Sequence, residues 1–200
     1  LESITSWLKA ERPIMISGPC SAETEEQMIA TAKQIAATGK VHALRAGIWK
    51  PRTRPGQYEG AGEEGLKWLI QAKKETGLSV TTEVANAAHV EACLKAGVDI
   101  LWIGARTTVN PFSVQEVADS LKGVDIPVMI KNPINPDLEL WIGAFERLNK
   151  AGITKMAAIH RGFSTFEKGP FRNAPMCDLA IEMKTRIPEL DMLCDPSHIA

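Results

Sequence analysis

Six basic residues, Arg45, Lys50, Arg52, Arg106, Lys131 and Arg161, recur at corresponding places along the chain. Five follow the end of a short apolar run within a few residues, and Arg52 comes in the loop attached to one of those ends. Arginine presents a planar fork that matches phosphate or carboxylate, and lysine supplies a compact point charge. One such residue is ordinarily a solvated surface charge. Six of them, in a chain whose net charge is only −1, describe an anion site with room for two anionic substrates. Cys20 and His198 also follow run ends. A thiolate and an imidazole suit a divalent transition metal, although each residue alone also reads as structural. Glu83 closes another run and faces the cations, where it either moves a proton or orients water, or pairs with an arginine. Cys93, Cys177 and Cys194 read as small apolar packing residues.

These residues need a scaffold that brings distant run ends to one mouth. The runs fall at 14–17, 41–44, 79–84, 100–104, 127–130, 156–159 and 191–194. They are apolar without strict alternation, as parallel strands covered by helices are. A helical pattern follows each of the first six. Thr24 with Gln27 makes a capping box ahead of Met28, Ile29, Ala32 and Ile35. Leu66, Leu69 and Ile70 mark the next helix, which stops near Gly77; Val90, Cys93 and Leu94 mark the third, ending at Gly97. The fourth carries Phe112, Val117, Ala118 and Leu121, the fifth Trp141, Phe145 and Leu148 before Gly152. The sixth carries Met176, Leu179, Ala180 and Met183 and closes at Pro188. A short helix in 1–11 is expected to cover the bottom. Repeated strand–helix units with chemistry at the strand C-termini predict an α/β fold, the (β/α)8 TIM barrel. That barrel needs about 250 residues, so the eighth strand and last helices are expected to be missing from this chain. Residues 1–200 are read as one C-terminally incomplete barrel domain. The long irregular segments, 50–62 and 160–174, leave the same face and are expected to be functional.

With 44% hydrophobic and 24% charged residues, the 200-residue chain reads as a soluble domain able to bury a substantial core. The near-neutral charge excludes a strongly basic nucleic-acid binder. No apolar stretch reaches the roughly 20 residues that span a bilayer. Four scattered cysteines do not form a disulfide framework, so a reducing cytoplasm is the expected compartment.

The stretches SGPCSAE (17–23), LRAGIWKPRTRPGQYEG (44–60), IGARTT (103–108), PVMIKN (127–132), IHRG (159–162) and DPSH (195–198) resemble the 3-deoxy-D-arabino-heptulosonate 7-phosphate (DAHP) synthases, most closely their type Iβ branch. The similarity covers essentially the whole chain, and KPRT at 50–53 is its most specific part. The resemblance implies a metal-dependent transferase of the shikimate pathway that condenses phosphoenolpyruvate with erythrose 4-phosphate. It implies that Arg106, Lys131 and Arg161 hold the phosphoenolpyruvate phosphate, with Arg45 and Lys50 near the carboxylate. Lys50, Pro51, Arg52 and Thr53 would hold erythrose 4-phosphate. Cys20 and His198 match two of the four ligands of a divalent ion (Mn2+, Fe2+, Co2+ or Zn2+), the others lying beyond residue 200. Glu83 matches a residue that positions water near C2, and Lys50, Glu83 and His198 form the expected catalytic set. A homo-oligomer and a fused or associated chorismate mutase domain are further implications. Competing readings are a sister 3-deoxy-octulosonate 8-phosphate synthase, a Schiff-base aldolase using Lys131, and a non-catalytic phosphometabolite-binding barrel.

Overall fold

In the computed structural model, which describes residues 1–166 and 169–200, the helices and strands alternate along almost the whole chain. In order they are α1 (Ile4–Leu8), β1 (Ile16–Ser17), α2 (Glu25–Ala37), β2 (Ala43–Arg45), α3 (Glu63–Thr76), β3 (Ser79–Val84), α4 (Ala87–Ala96) and β4 (Ile100–Ile103). There follow α5 (Ala105–Thr108), α6 (Pro111–Ser120), β5 (Val128–Lys131), α7 (Leu138–Lys150), β6 (Met156–His160), α8 (Cys177–Arg186), β7 (Asp191–Cys194) and α9 (Pro196–Ile199). All ladders are parallel, and each strand pairs with its neighbours in sequence to give a seven-stranded sheet ordered β1 to β7. This is the predicted (β/α)8 arrangement, open between β1 and β7 among the described residues. Part of the predicted 160–174 loop, at 167–168, lies outside them.

The period-2 geometry of a strand explains how one sheet serves two cores. Leu44, Val80, Leu101, Ile103, Val128, Ile130 and Ala158 face outward and pack under the helices with Leu69, Val117, Trp141 and Leu148. The alternate residues Ala43, Ile100, Trp102, Met129, Ala157 and Ile159 face inward and meet Ile4 from α1, which covers the floor as predicted. Asp191 fastens that cover. Its carboxylate accepts from the Ile4 backbone N–H at 2.6 Å, from Ser3 Oγ at 2.8 Å and from Arg12. Continuing the inward series toward the strand C-termini puts Arg45, Glu83 and Lys131 on the inward face as well, so the pleat itself aims the chemistry.

The helix starts follow ordinary capping physics. Thr24, Asn86, Asn110 and Asp137 each accept backbone N–H groups of the first turn. Gln27 closes the α2 box on the Glu23 N–H rather than on that of Thr24. Trp141, Phe145 and Leu148 are buried along α7 as expected; truncating such a residue costs about 3–5 kcal/mol.

Three expectations need correction. Phe112 does not belong to the buried face of α6 and is 88% exposed. That face is Val114, Val117, Ala118 and Leu121, the i, i+3, i+4, i+7 set, which Phe112 does not fit. Met176 is the left-handed N-cap of α8 rather than part of it, and of the predicted apolar face only Met183 is buried. Cys177 and Cys194 are exposed rather than packed, whereas Cys93 is buried and its thiol is pushed up to about 12 by that burial, leaving it inert. No helix among the described residues is long and apolar enough to cross a membrane.

Candidate active site

The C-terminal ends of β2, β4, β5 and β6 and the loops after them carry the predicted basic residues. Arg45, the last residue of β2, donates to the Pro19 carbonyl at 3.2 Å. Its guanidinium carbon lies 4.8 Å from the centre of the Trp102 ring. Lys131, the last residue of β5, has its Nζ 6.0 Å from the same ring and donates to Asp195 Oδ2 at 2.9 Å. Glu83 on β3 is opposite Trp102 in register and accepts its indole N–H at 3.0 Å, so its partner is an indole rather than the arginine considered above. Gly104 leaves room for that carboxylate: a Cβ there would sit 2.0 Å from Glu83 Oε1, and the side chain would have to move.

The loop after β2 is folded back over the mouth. Trp49 stacks on His89 with ring centroids 4.0 Å apart, fixing the root of the loop against α4. Lys50 Nζ donates to the Cys20 carbonyl at 2.8 Å and contacts its sulfur at 3.4 Å. Arg52 Nε donates to the Tyr58 carbonyl, and the Tyr58 hydroxyl donates to the Ala22 carbonyl. Arg106, on α5, reaches across to this loop, donating to the Pro51 carbonyl at 2.5 Å and to Thr53 Oγ1 at 3.3 Å. Arg161, following β6, is held from two sides. Asn132 Oδ1 accepts its backbone N–H at 2.7 Å, and Asn173 Oδ1 accepts from its guanidinium at 3.0 Å.

The charges of these groups form one coupled set. Burial lowers Lys131 below the usual lysine range; Asp195 and Glu83 oppose the shift and Arg45 adds to it. Burial also lowers Arg161, with Asp195 opposing and Arg172 and Arg106 reinforcing; an arginine stays charged nonetheless. Burial pushes the Cys20 thiol up, but Lys50 and Arg45 outweigh it and the net shift is downward, the direction that favours thiolate. Asp195 ties the far side together. Burial raises it, yet hydrogen bonds from His198 and Ser197 and the Lys131 ammonium hold it well below the carboxylate range. Its Oδ2 lies 2.8 Å from His198 Nδ1 and its Oδ1 accepts from Ser197 at 2.7 Å. The mouth opens into a cavity of about 920 Å³ that runs from Arg45, Lys131 and Asp195 down past Trp102 to Arg12 and Asp191.

The structure therefore assembles Arg45, Glu83 and Lys131 around one indole, couples Arg161 to Arg106 electrostatically, and joins Arg106 to Pro51 and Thr53. Cys20 and His198 are held by different partners, Lys50 and Asp195. Among the described residues no group of three or more His, Cys, Asp or Glu is placed to hold a metal ion. A thiol and an imidazole are suitable donors, but these two do not complete a divalent site by themselves. Four residues of evident importance were not singled out in the sequence: Trp102, Asn132, Asn173 and Asp195. Asp195 and Asn132 lie inside the quoted motifs DPSH and PVMIKN, which was their only signal. Lys131 also has a reason to lose its proton, namely burial, which the sequence did not disclose.

Comparison with known proteins bears on what this arrangement does. The model of the DAHP synthetase I family matches residues 9–200. Phospho-2-dehydro-3-deoxyheptonate aldolase of Thermotoga maritima is 34% identical over 184 residues, which is 92% of this chain and 52% of that protein. A 2-dehydro-3-deoxyphosphooctonate aldolase of Syntrophotalea carbinolica is 33% identical over 97 residues, 46% of this chain and 35% of that protein. Among solved structures, the Thermotoga maritima DAHP synthase superposes with a TM-score of 0.79 at 30% identity, covering 93% of this chain and 52% of that one. A truncated form of the Thermotoga maritima enzyme gives 0.76 at 30% identity, covering 93% and 65%. The chain thus spans about half the length of the full-length heptonate relative it matches.

Proposed function

This chain belongs to the DAHP synthetase I family, and from that premise we propose that the protein condenses phosphoenolpyruvate with erythrose 4-phosphate to give 3-deoxy-D-arabino-heptulosonate 7-phosphate and inorganic phosphate, opening the shikimate pathway. The observation that carries the reading is the set of cations contributed by separate strand ends, of which Arg45 and Lys131 line the cavity while Arg106 and Arg161 act on one another electrostatically. Two anions repel each other, and the chain's task is chiefly to hold them together and aligned. Lys131, Arg161 and Arg106 take the phosphoenolpyruvate phosphate, with Arg45 and Lys50 toward its carboxylate. Lys50, Pro51, Arg52 and Thr53 receive erythrose 4-phosphate. In this reading Arg106 touches both substrate regions, because it already holds Pro51 and Thr53.

In the proposed reaction C3 of phosphoenolpyruvate forms a bond to the aldehyde carbon, whose oxygen takes a proton. Water oriented by Glu83 adds at C2, and the resulting phosphohemiketal breaks its C2–O bond to release phosphate and leave a ketone. Cys20 and His198 are this chain's proposed contribution to a divalent ion (Mn2+, Fe2+, Co2+ or Zn2+). A two-donor set does not complete such a site. A homo-oligomer, an associated chorismate mutase domain and a cytoplasmic location are proposed from the family resemblance alone.

The competing octulosonate reading meets the KPRT loop, whose Pro51 and Thr53 are held by Arg106. A Schiff-base role for Lys131 is helped by the burial that lowers its pKa but meets its ion pair with Asp195, which opposes that shift. Phosphoenolpyruvate consumption by the full-length protein tests all of these, with erythrose 4-phosphate, arabinose 5-phosphate or N-acetylmannosamine as acceptor, with and without EDTA. Turnover with erythrose 4-phosphate alone, lost on chelation and restored by manganese, is expected. Turnover with another acceptor would move the protein to a sister activity, and no turnover by folded, manganese-supplemented protein would favour a binding barrel.

A further inference from the structure

Trp102 touches three of the residues assigned to the chemistry. Its strand, β4, lies between β3 and β5, and the register sets it beside Glu83 on one side and Met129 on the other. It faces inward and is 2% exposed. An indole has two distinct polar faculties, one N–H donor at its edge and a negative face on its π system. Both are used. The N–H goes to Glu83 Oε2 at 3.0 Å, and cations approach the ring at 4.8 Å from Arg45 and 6.0 Å from Lys131.

An acidic side chain next to one buried and one half-buried cation would ordinarily collapse into an ion pair with one of them. Here Lys131 feels the Glu83 charge, yet its hydrogen-bonded counter-ion is Asp195, while Glu83 is committed to Trp102. Resting on the function proposed above, we propose that Trp102 is a positioning residue that holds the Glu83 carboxylate out of ion pairs with Arg45 and Lys131. Glu83 thereby keeps an oxygen for orienting water. The two cations keep their outward faces for the anionic groups of phosphoenolpyruvate.

The test uses the full-length protein with Trp102→Phe, which keeps a ring face but loses the N–H, and Trp102→Leu, which loses both. Steady-state rates are measured at saturating erythrose 4-phosphate, and phosphoenolpyruvate binding by calorimetry without it. Trp102→Phe should lower kcat about 10-fold, as loss of a charge-assisted hydrogen bond does, while the KM for phosphoenolpyruvate changes by less than about threefold. Trp102→Leu should in addition weaken phosphoenolpyruvate binding by about 5- to 30-fold, through both cation contacts. Glu83→Gln supplies the readout that a purely structural role would not move: Trp102→Phe should cost little further kcat in a Glu83→Gln background, because the two act through one carboxylate. If Trp102→Leu fails to fold, as thermal melting would show, Trp102→Phe and the cycle with Glu83→Gln carry the test. Wild-type kcat in Trp102→Phe, or losses that simply add to those of Glu83→Gln, would overturn the assignment while leaving the function intact. A wild type that neither binds nor consumes phosphoenolpyruvate would overturn the function, and the role of Trp102 with it.

Discussion

Replacing Asp195 by alanine isolates the electrostatic premise of the site. The Lys131 side chain is only 10% exposed and that of Asp195 17%, with Nζ and Oδ2 2.9 Å apart. Removing one partner of a pair buried to this degree costs about 3–5 kcal/mol, because the remaining charge is still out of water. At about 2–4 °C per kcal/mol for a chain of this length, the Asp195→Ala variant should melt roughly 6–20 °C lower at pH 7. Its pH dependence identifies the cause. Burial already lowers Lys131, and Asp195 is the main influence opposing it, so the variant's Lys131 falls further below the unfolded value. A lysine whose folded pKa is depressed binds fewer protons folded than unfolded, so stability rises with pH in the window between the two values. The deficit of Asp195→Ala relative to wild type must therefore shrink as pH climbs from 7 toward the unfolded lysine value of 10.5. Urea unfolding of both proteins at pH 7 and 9.5, read by far-UV circular dichroism with matched m-values, measures it. A loss under about 1 kcal/mol, the figure for a solvated pair, or a deficit unchanged at pH 9.5, would refute the reasoning.

Arg52→Ala should raise the KM for erythrose 4-phosphate about 10- to 100-fold, the worth of a charge-assisted contact, and leave that for phosphoenolpyruvate nearly unchanged; an equal effect on both would show the substrates misplaced. Asp191→Asn should cost about 2–3 kcal/mol at pH 7, since Ile4, Ser3 and Arg12 converge on its carboxylate. Burial raises Asp191, but those three partners win and its pKa is lowered from 3.8. Its contribution is present above that value and lost as pH falls through the folded one, so the gap between variant and wild type should close in acid, as urea titrations at pH 7 and pH 3 would show. Gly104→Ala, whose Cβ would meet Glu83 Oε1 at 2.0 Å, should cost about 1–3 kcal/mol through overpacking and lower kcat by breaking the Glu83–Trp102 bond; wild-type kcat would mean that the carboxylate need not stay where it is.

The runs at 79–84 and 191–194 coincide with β3 and β7, because an apolar segment bounded by turn residues leaves little freedom in placing a strand. The first apolar run spans 14–17 but only Ile16 and Ser17 join the ladder, and the Met15 N–H is taken by the His42 ring. Side-chain partners of that kind have no periodic signature. The basic residues were legible since Arg45 and Lys131 end strands and the others follow strand ends closely, and strand ends are marked in sequence. Their partners were not. Trp102 reads as one more apolar residue of β4, and only the register that sets it beside Glu83 reveals what its N–H does. Asp195 belonged to a recognised motif, but its pairing with Lys131 links residues far apart in sequence. Phe112 is apolar but falls off the 3.6-residue period kept by Val114, Val117, Ala118 and Leu121, and that period rather than composition decides its exposure.

Each strand of the sheet lies beside its own sequence neighbour, so the arc can grow by adding one strand–helix unit after another. The positive groups are added with it: Arg45 ends β2, Arg106 follows β4, Lys131 ends β5 and Arg161 follows β6. Arg106, Lys131 and Arg161 each bring like charge against charge already in place; Glu83 of β3 offsets part of it, and Asp195, the hydrogen-bonded counter-ion of Lys131, arrives only after β7. The later units are thus assembled uphill in potential. A small anion present while the chain folds would lower that gradient, so the molecule's substrate would also serve as a counter-ion for its own construction.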